Sequence, residues 1–549
     1  MMNDVNGDGV KVGPSSYEPR VRKGRMLVLY FDGSDDRYDS TNSNVVKLFS
    51  FLAKGDPNQL VYYQAGIGTY NLGPQFVSGI ARWIARIVDL AVAFSLGGHV
   101  KGGYRFLQDH YQDGDRICLF GFSRGAYTAR ALAGMLYTVG LLPPGMAEEV
   151  HFAYEIYKNQ TASASYKRDF SRQVKIEFIG VWDTVSSVGA LIPRILPFSS
   201  DNHITRTFRH AMSLDEHRAA FQCNPWQRTV DGQQGGSGPR VGILRTSLSI
   251  LWKTLAFWNW RKNWRKGDLE SGEGPTNPEP PTHVKEVWFA GCHSDVGGGS
   301  VANDSKVALS NIPLRWMIKE ILEADTGIIF NDDPRLAELG IVLNPPPIVT
   351  ANIAESTSHV DETTPLRPRM DVHTTTQYTA PDSTLEFVLE NKDNLTATRE
   401  ALPRDTDARL ELEDLPSRHL PDDIHEEDVV TSMHDELKAD PLWWILEFLP
   451  FLRSKQKADG EWVSYPRINL FRGREIPPPP AEDSPNSSSQ PGDHRGVHIP
   501  PCTLFHVSVQ ARMNAPAEVC GQRSWRTLWL KKEPYAPRAR LHGPMKFVR

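Results

Sequence analysis

Gly114–Leu136 reads GDRICLFGFSRGAYTARALAGML, and its three parts decide the fold. Arg116–Phe120 (RICLF) is a short, nearly continuous apolar run of the kind that forms strands buried on both faces. Ser123–Val139 is Ala-rich with helical spacing, suited to lying close under a sheet. Between them Gly121-Phe122-Ser123-Arg124-Gly125 is a GxSxG pentapeptide, directly after a strand and directly before a helix. A strand that turns sharply into a helix crowds its own backbone, and glycines two before and two after the serine relieve that crowding. Such a turn lifts the Ser123 hydroxyl above the sheet edge at a helix N-terminus, where free N–H groups and positive potential stabilise a developing oxyanion. A serine in an ordinary turn is the plain alternative. The strand, both glycines and the helix together favour the nucleophile.

Working outward, Met26–Phe31 (MLVLYF), Leu60–Gln64 (LVYYQ), Lys175–Trp182 (KIEFIGVW) and Val284–Ala290 (VKEVWFA) are further apolar strands, and Val77–Asp109 has helical spacing. Strands alternating with helices predict an α/β fold: an α/β-hydrolase-like, doubly wound, mostly parallel sheet. Long loop insertions interrupt it. Residues 231–242 and 266–282 are rich in Gly, Pro and charge, and Ser247–Lys266 between them carries four tryptophans. Residues 1–22 are read as a disordered arm and 23–350 as one catalytic domain with a Trp-rich insertion at 231–282. Residues 351–549 are read as an extension of loops and helices, in which 503–510 (Thr503–Gln510 is TLFHVSVQ) returns to the core.

A serine hydroxyl needs a base, and the base needs an orienting carboxylate. In α/β-hydrolases the chain order is Ser, then Asp or Glu, then His. Asp183 follows KIEFIGVW and His293 follows VKEVWFA, each just past the carboxyl end of a strand, the edge where open α/β sheets place their sites. The plain readings are a capping aspartate and a solvated loop histidine. His506 is the second candidate base, with His203, His210 and His217 behind it. For an oxyanion hole, the amide of Arg124 pairs with that of Gly33 or Ser34, which follow the first strand. Asp32 either braces that turn or takes part directly. Gly121, Gly125 and Asp295 are supporting residues.

Taken together, FDGS (Phe31–Ser34), TNSNVVKL (Thr41–Leu48), Gly114–Leu136, GVWDTVSSVG (Gly180–Gly189), RHAMSLDEHRAAF (Arg209–Phe221) and WFAGCHSDVGGGS (Trp288–Ser300) resemble a known family. It is the α/β-hydrolase domain shared by fungi and bacteria that also forms the catalytic part of type VI secretion phospholipase effectors of the first lipase family. The resemblance spans about residues 25–325. It implies a Ser-Asp-His hydrolase of carboxylic esters, with phospholipid as the best-known substrate class, and makes Ser123 the nucleophile, Asp183 the orienter and His293 the base. The family's usual Asp-Gly-Thr is Asp-Gly-Ser here, which keeps the hydroxyl. The C-terminal part does not resemble the effectors' membrane-inserting region.

The remaining features bound the answer. The 549 residues carry 61 Lys and Arg against 66 Asp and Glu, a net charge of −5, so no global basic field draws the chain to nucleic acid. Cys118, Cys223, Cys292, Cys502 and Cys520 form no CxxC pair or metal cadence, which suits a reducing compartment, and no cofactor or metal is expected. Asp4-Val5-Asn6-Gly7-Asp8-Gly9 copies half of a calcium loop, but its twelfth position is Ser15. The first residues lack an apolar signal segment, so a cytoplasmic location, peripheral to membranes at most, is expected. Two stretches offer lipid contact: Trp252–Trp264, interleaved with Lys and Arg, and Trp443-Trp444 in PLWWILEFLP. The usual destination of such tryptophans is packing on a core, which would make both stretches lids or insertions, the first a lid over the site. The expected function is a serine esterase acting on lipid. The rival is an inactive hydrolase fold that binds protein or lipid.

Overall fold

The computed structural model describes residues 24–33, 38–66, 94–159, 163–185, 204–226, 282–343, 425–456, 462–476, 503–517, 522–523, 532–541 and 545–548. The Trp252–Trp264 stretch, the first 23 residues, residues 77–93, His203 and Ser34 lie outside them. Among the described residues, eight strands form one sheet in which every pairing is parallel. In chain order they are β1 (Met26–Phe31), β2 (Gln59–Gln64), β3 (Arg116–Phe122), β4 (Ile176–Trp182), β5 (Thr205–Ser213), β6 (His283–Phe289), β7 (Leu504–His506) and β8 (Lys546–Val548). Their spatial order is β8-β7-β6-β5-β4-β3-β1-β2. The direction of winding reverses between β3 and β1, and open α/β sheets form their binding crevice at the carboxyl ends of strands flanking such a point.

The apolar strands are continuous because both faces are covered. Leu27, Leu29 and Phe31 of β1 enter a core shared with α2 (Phe94–His110), α3 (Ser123–Val139), α4 (Glu149–Asn159) and α5 (Ser163–Phe170). Met26, Val28 and Tyr30 point the other way, into a core with α1 (Asn44–Ser50) and α7 (Asn311–Glu323). Period-two alternation therefore survives in direction although every position is apolar. α3 is buried along almost its whole length, which suits its small Ala and Gly residues.

Two elements, β5 and the strands beyond residue 425, are not marked by the sequence, and a third shows its bounds only in the structure. The sequence does not mark β5 as a strand, because TRTFRHAMS carries Arg206, Arg209 and His210. Its buried charge is compensated: Arg209 pairs with Glu320 of α7, which also takes Lys285 at 2.5 Å. In Thr503–Gln510 only Leu504–His506 is extended. His506 then caps the helix α8 (Val507–Asn514), its ring accepting the Ser508 amide at 3.2 Å. Residues beyond 425 also contain strands, including an antiparallel pair of Pro450–Gln456 with Trp462–Ile468.

Candidate active site

β3 ends at Phe122 and α3 begins at the next residue, Ser123. The chain makes this turn by holding Ser123 in the left-handed region at φ 58°, a conformation that costs a non-glycine residue about 1–2 kcal/mol. Its neighbours leave the room. A β-carbon on Gly121 would sit 2.6 Å from the Gly125 carbonyl. One on Gly125 would sit 2.2 Å from the Phe31 oxygen and 2.3 Å from that of Asp32. The N-terminus of α3 thus packs directly on the end of β1.

Asp183 follows β4 immediately and is also left-handed, at φ 37°. His293 opens the short helix α6 (His293–Gly297), where the Asp295 carboxylate accepts the Cys292 amide at 2.8 Å and fixes the turn. The three side chains meet. His293 Nδ1 lies 2.5 Å from Asp183 Oδ2, and His293 Nε2 lies 2.8 Å from Ser123 Oγ. All three are buried, and the rings of Phe122 and Phe221 flank the imidazole at 4.6 and 4.9 Å. With Asp183 ionised, Nδ1 donates to the carboxylate, and Nε2 is left to accept the serine hydroxyl.

The electrostatics keep that arrangement charged where it needs to be. Burial pushes the Asp183 carboxyl up, but the Arg474 guanidinium and the bonded His293 outweigh it and hold the group far below the usual carboxylate range. Burial pushes His293 down; the Asp183 bond and charge oppose it without overcoming it, so the imidazole is neutral at neutral pH. Glu216, whose Oε2 accepts the His293 amide at 3.3 Å, is driven up by burial but down to about 2 by Arg218.

Arg474 was not found from the sequence. It lies far along the chain, yet its Nη1 and Nη2 donate to Asp183 Oδ1 and Oδ2 at 2.6 and 2.9 Å. Ser213, at the end of β5, donates its amide to Asp183 Oδ1 at 2.9 Å and its hydroxyl to Oδ2 at 3.2 Å. A buried carboxylate facing a neutral imidazole needs such partners.

The other expected residues are placed as follows. Asp32 is buried after β1, accepting the Gly33 amide at 2.8 Å, the Ser43 hydroxyl at 2.6 Å and the Tyr63 hydroxyl at 2.7 Å. Burial raises it, and those donors hold it back only in part. Arg124 is the second residue of α3, and Asp295 accepts the His434 amide and ring as well as the Cys292 amide. The alternative bases are engaged elsewhere. His506 stacks on Phe289, His210 bonds Glu286 and the Thr184 amide, and His217 meets Asp435 and Arg538. Among the described residues no cluster of His, Cys, Asp or Glu is arranged to hold a metal, and no helix is long and apolar enough to cross a membrane.

The sequence model of one family, described as the type VI secretion system phospholipase effector Tle1-like catalytic domain, matches residues 25–320. The chain belongs to that family. It is 27% identical over 579 aligned positions to the uncharacterised protein YEL023C of Saccharomyces cerevisiae, covering 86% of this chain and 80% of that one. Among solved structures it is similar to an uncharacterised protein of Pseudomonas aeruginosa (19% identity, TM-score 0.29, covering 56% of this chain and 47% of that one). A second is the Tle1 effector bound to the VgrG spike of the type 6 secretion system (15% identity, TM-score 0.26, 52% and 53% covered). The matches span about half the length of those two proteins. The family match covers Ser123, Asp183 and His293 but stops before Arg474.

Proposed function

We propose that the protein is a serine hydrolase that cleaves carboxylic esters of lipids, phospholipids first among them, with Ser123, His293 and Asp183 as its triad. The observation that carries this reading is the buried hydrogen-bond chain from Ser123 Oγ through His293 to Asp183, set at a strained strand-to-helix turn. The family's description supplies the lipid. His293 takes the hydroxyl proton as Oγ attacks the ester carbonyl, and Asp183 holds the tautomer and balances the imidazolium. The oxyanion forms at the N-terminus of α3, where the Arg124 amide is the nearest donor in sequence. The Gly33 amide is bound to Asp32 and joins the oxyanion site only by exchanging that bond for one to substrate. His293 then protonates the leaving alcohol, and water activated by the same ring releases the fatty acid.

The test is a fluorophosphonate adduct located by peptide mass spectrometry, alongside fatty-acid release from phosphatidylcholine vesicles. An adduct on Ser123 with acid released supports the reading. A folded protein that gives neither is a binding module on a hydrolase fold.

An apolar surface beside the site favours contact with the lipid itself. Trp443 packs edge-on against Phe221, which packs on His293, so the surface starts two rings from the base. Beyond it Trp444, Ile445, Phe448, Leu470 and Phe471 are exposed. Leu470 and Phe471 are held left-handed at φ 51° and 60°. Buried Glu447 fixes them, accepting the Phe471 amide at 2.9 Å on its carboxylate while its carbonyl takes that of Leu470 at 3.1 Å. Strain of this kind persists where the surroundings over-determine it. Here it presents two large apolar side chains to solvent, with exposed Lys438 and Arg472 nearby in sequence. Replacing Trp444 and Phe448 together by serine is expected to weaken sedimentation with anionic vesicles on the order of tenfold or more. Hydrolysis of a soluble short-chain ester should not change. Undiminished sedimentation would remove this surface from the reading.

A further inference from the structure

We propose that the segment beyond the family domain is a working part of the catalytic site, with Arg474 as the positioning residue that fixes Asp183 and, through it, the ring of His293. The inference rests on the serine-hydrolase reading and deepens it.

The guanidinium is buried, and each of its N–H groups has an acceptor. Two go to the Asp183 carboxylate in a parallel pair. Nη1 also reaches the Ser213 carbonyl and hydroxyl at 2.9 and 2.7 Å, while Nε and Nη2 reach the Phe221 carbonyl at 3.2 and 2.7 Å. A planar fork in this position leaves Asp183 one orientation. Desolvating such a pair offsets much of its attraction, so it is a poor way merely to hold a loop.

The same extension clamps the segment that walls the imidazole. The Ala539 amide bonds the Leu214 carbonyl at 3.0 Å, and the Tyr535 hydroxyl bonds Asp215 at 2.8 Å. Glu447 accepts the Ala219 amide at 2.6 Å, and the Asn469 amide group bonds the His217 carbonyl at 2.7 Å. The clamped segment supplies Ser213 to Asp183, Glu216 to the His293 amide, and Phe221 to the face of the ring. Orientation of the base therefore depends on residues outside 25–320.

Arg474 also acts by charge. The charged groups acting on His293 are Asp183 and Glu216, which favour the imidazolium, and Arg218, which opposes it. Arg474 acts on Asp183, on the far side of that carboxylate, and Asp295 on its own turn is bonded by His434. Removing the Arg474 cation leaves Asp183 a fuller negative field at the ring. His293 then protonates at higher pH, and the acid limb of kcat/KM moves upward.

The experiment compares the full-length wild type with R474M and R474K. It follows kcat and KM on a soluble nitrophenyl ester and the fluorophosphonate labelling rate from about pH 5 to 9, with thermal melting as the folding check. R474M is expected to lose kcat on the order of a hundredfold with KM within about twofold, and to raise the acid limb by roughly one pH unit. R474K keeps the charge but not the fork, so its limb should stay in place while kcat recovers only in part. A folded R474M with wild-type kcat and limb overturns the proposal. So do R474M and R474K equally impaired with unmoved limbs, the mark of a structural latch. If R474M does not fold, R474K decides: reduced kcat with KM within about twofold, the limb in place and melting as in wild type supports the proposal, while full kcat, or reduced kcat accompanied by lowered melting, overturns it. Wild type that neither labels nor turns over ends the hydrolase reading and this proposal with it, whereas labelled wild type with an indifferent R474M ends this proposal alone.

Discussion

Ser123→Ala is expected to lower turnover of an activated ester by about 10⁴- to 10⁶-fold and to abolish fluorophosphonate labelling, with the fold intact. The loss is large because in the proposed mechanism the hydroxyl is the atom that attacks, and no neighbour replaces it: Cys292, next to His293 in sequence, is buried and its thiol is pushed well above the ordinary range by that burial. His293→Ala should cost a similar factor, and the double variant little more than either alone. Groups that act as one unit do not add. A Ser123→Ala protein with ordinary turnover would show that the chemistry lies elsewhere. The same position makes a second statement about stability. Ser123 stands at φ 58°, so alanine keeps the strain, whereas glycine relieves it. Ser123→Gly should therefore be inactive yet more stable by about 1 kcal/mol, read as a raised Tm. A lowered Tm would mean that the hydroxyl's bond to His293 outweighs the backbone strain.

What could be read in advance, and what could not, follows from the physics of each element. β1, β3 and β4 are legible because burial on both faces leaves them almost wholly apolar, with charge only at Arg116 and Glu177 near their starts, and the β3–α3 junction is legible because its geometry admits only small residues at Gly121 and Gly125. β5 is obscured by Arg209, whose charge is paired inside the fold with Glu320. Nothing local to TRTFRHAMS discloses a partner 111 positions away. The three-residue strand β8 is too short for any periodicity, and β7 is legible only as part of the apolar segment 503–510, without its bounds. The order of serine, aspartate and histidine past strand ends marks three side chains that the fold brings within hydrogen-bonding distance. Arg474 has no such mark: it lies 291 positions from Asp183 in a stretch without strong pattern. The signal for it arises only once the fold is known. A fully buried aspartate beside a neutral imidazole implies a cation somewhere, though not which one.

Gly125→Ala is expected to be the most damaging single methyl addition near the site. Its β-carbon would lie 2.2 and 2.3 Å from two main-chain oxygens at the end of β1. Those atoms cannot swing aside like the tip of a side chain. They belong to Phe31 and Asp32: Phe31 is held in register with Gln64 of β2 and Gly121 of β3, and the Asp32 amide bonds the Gln64 carbonyl at 3.0 Å. Relief requires α3 to move away from the sheet by roughly an ångström, breaking contacts along a helix that is buried almost throughout. A cost of roughly 3 kcal/mol or more follows, a Tm drop on the order of 5 °C or more. Because Ser123 rides on the same turn, the surviving folded protein should also label slowly. The control is Gly98→Ala in α2, where a β-carbon meets nothing within 4 Å. There the same substitution adds a better helix former at an exposed site and should stabilise by about 0.5–1 kcal/mol. Equal melting of the two variants would mean that the close approach of α3 to β1 does not govern the turn.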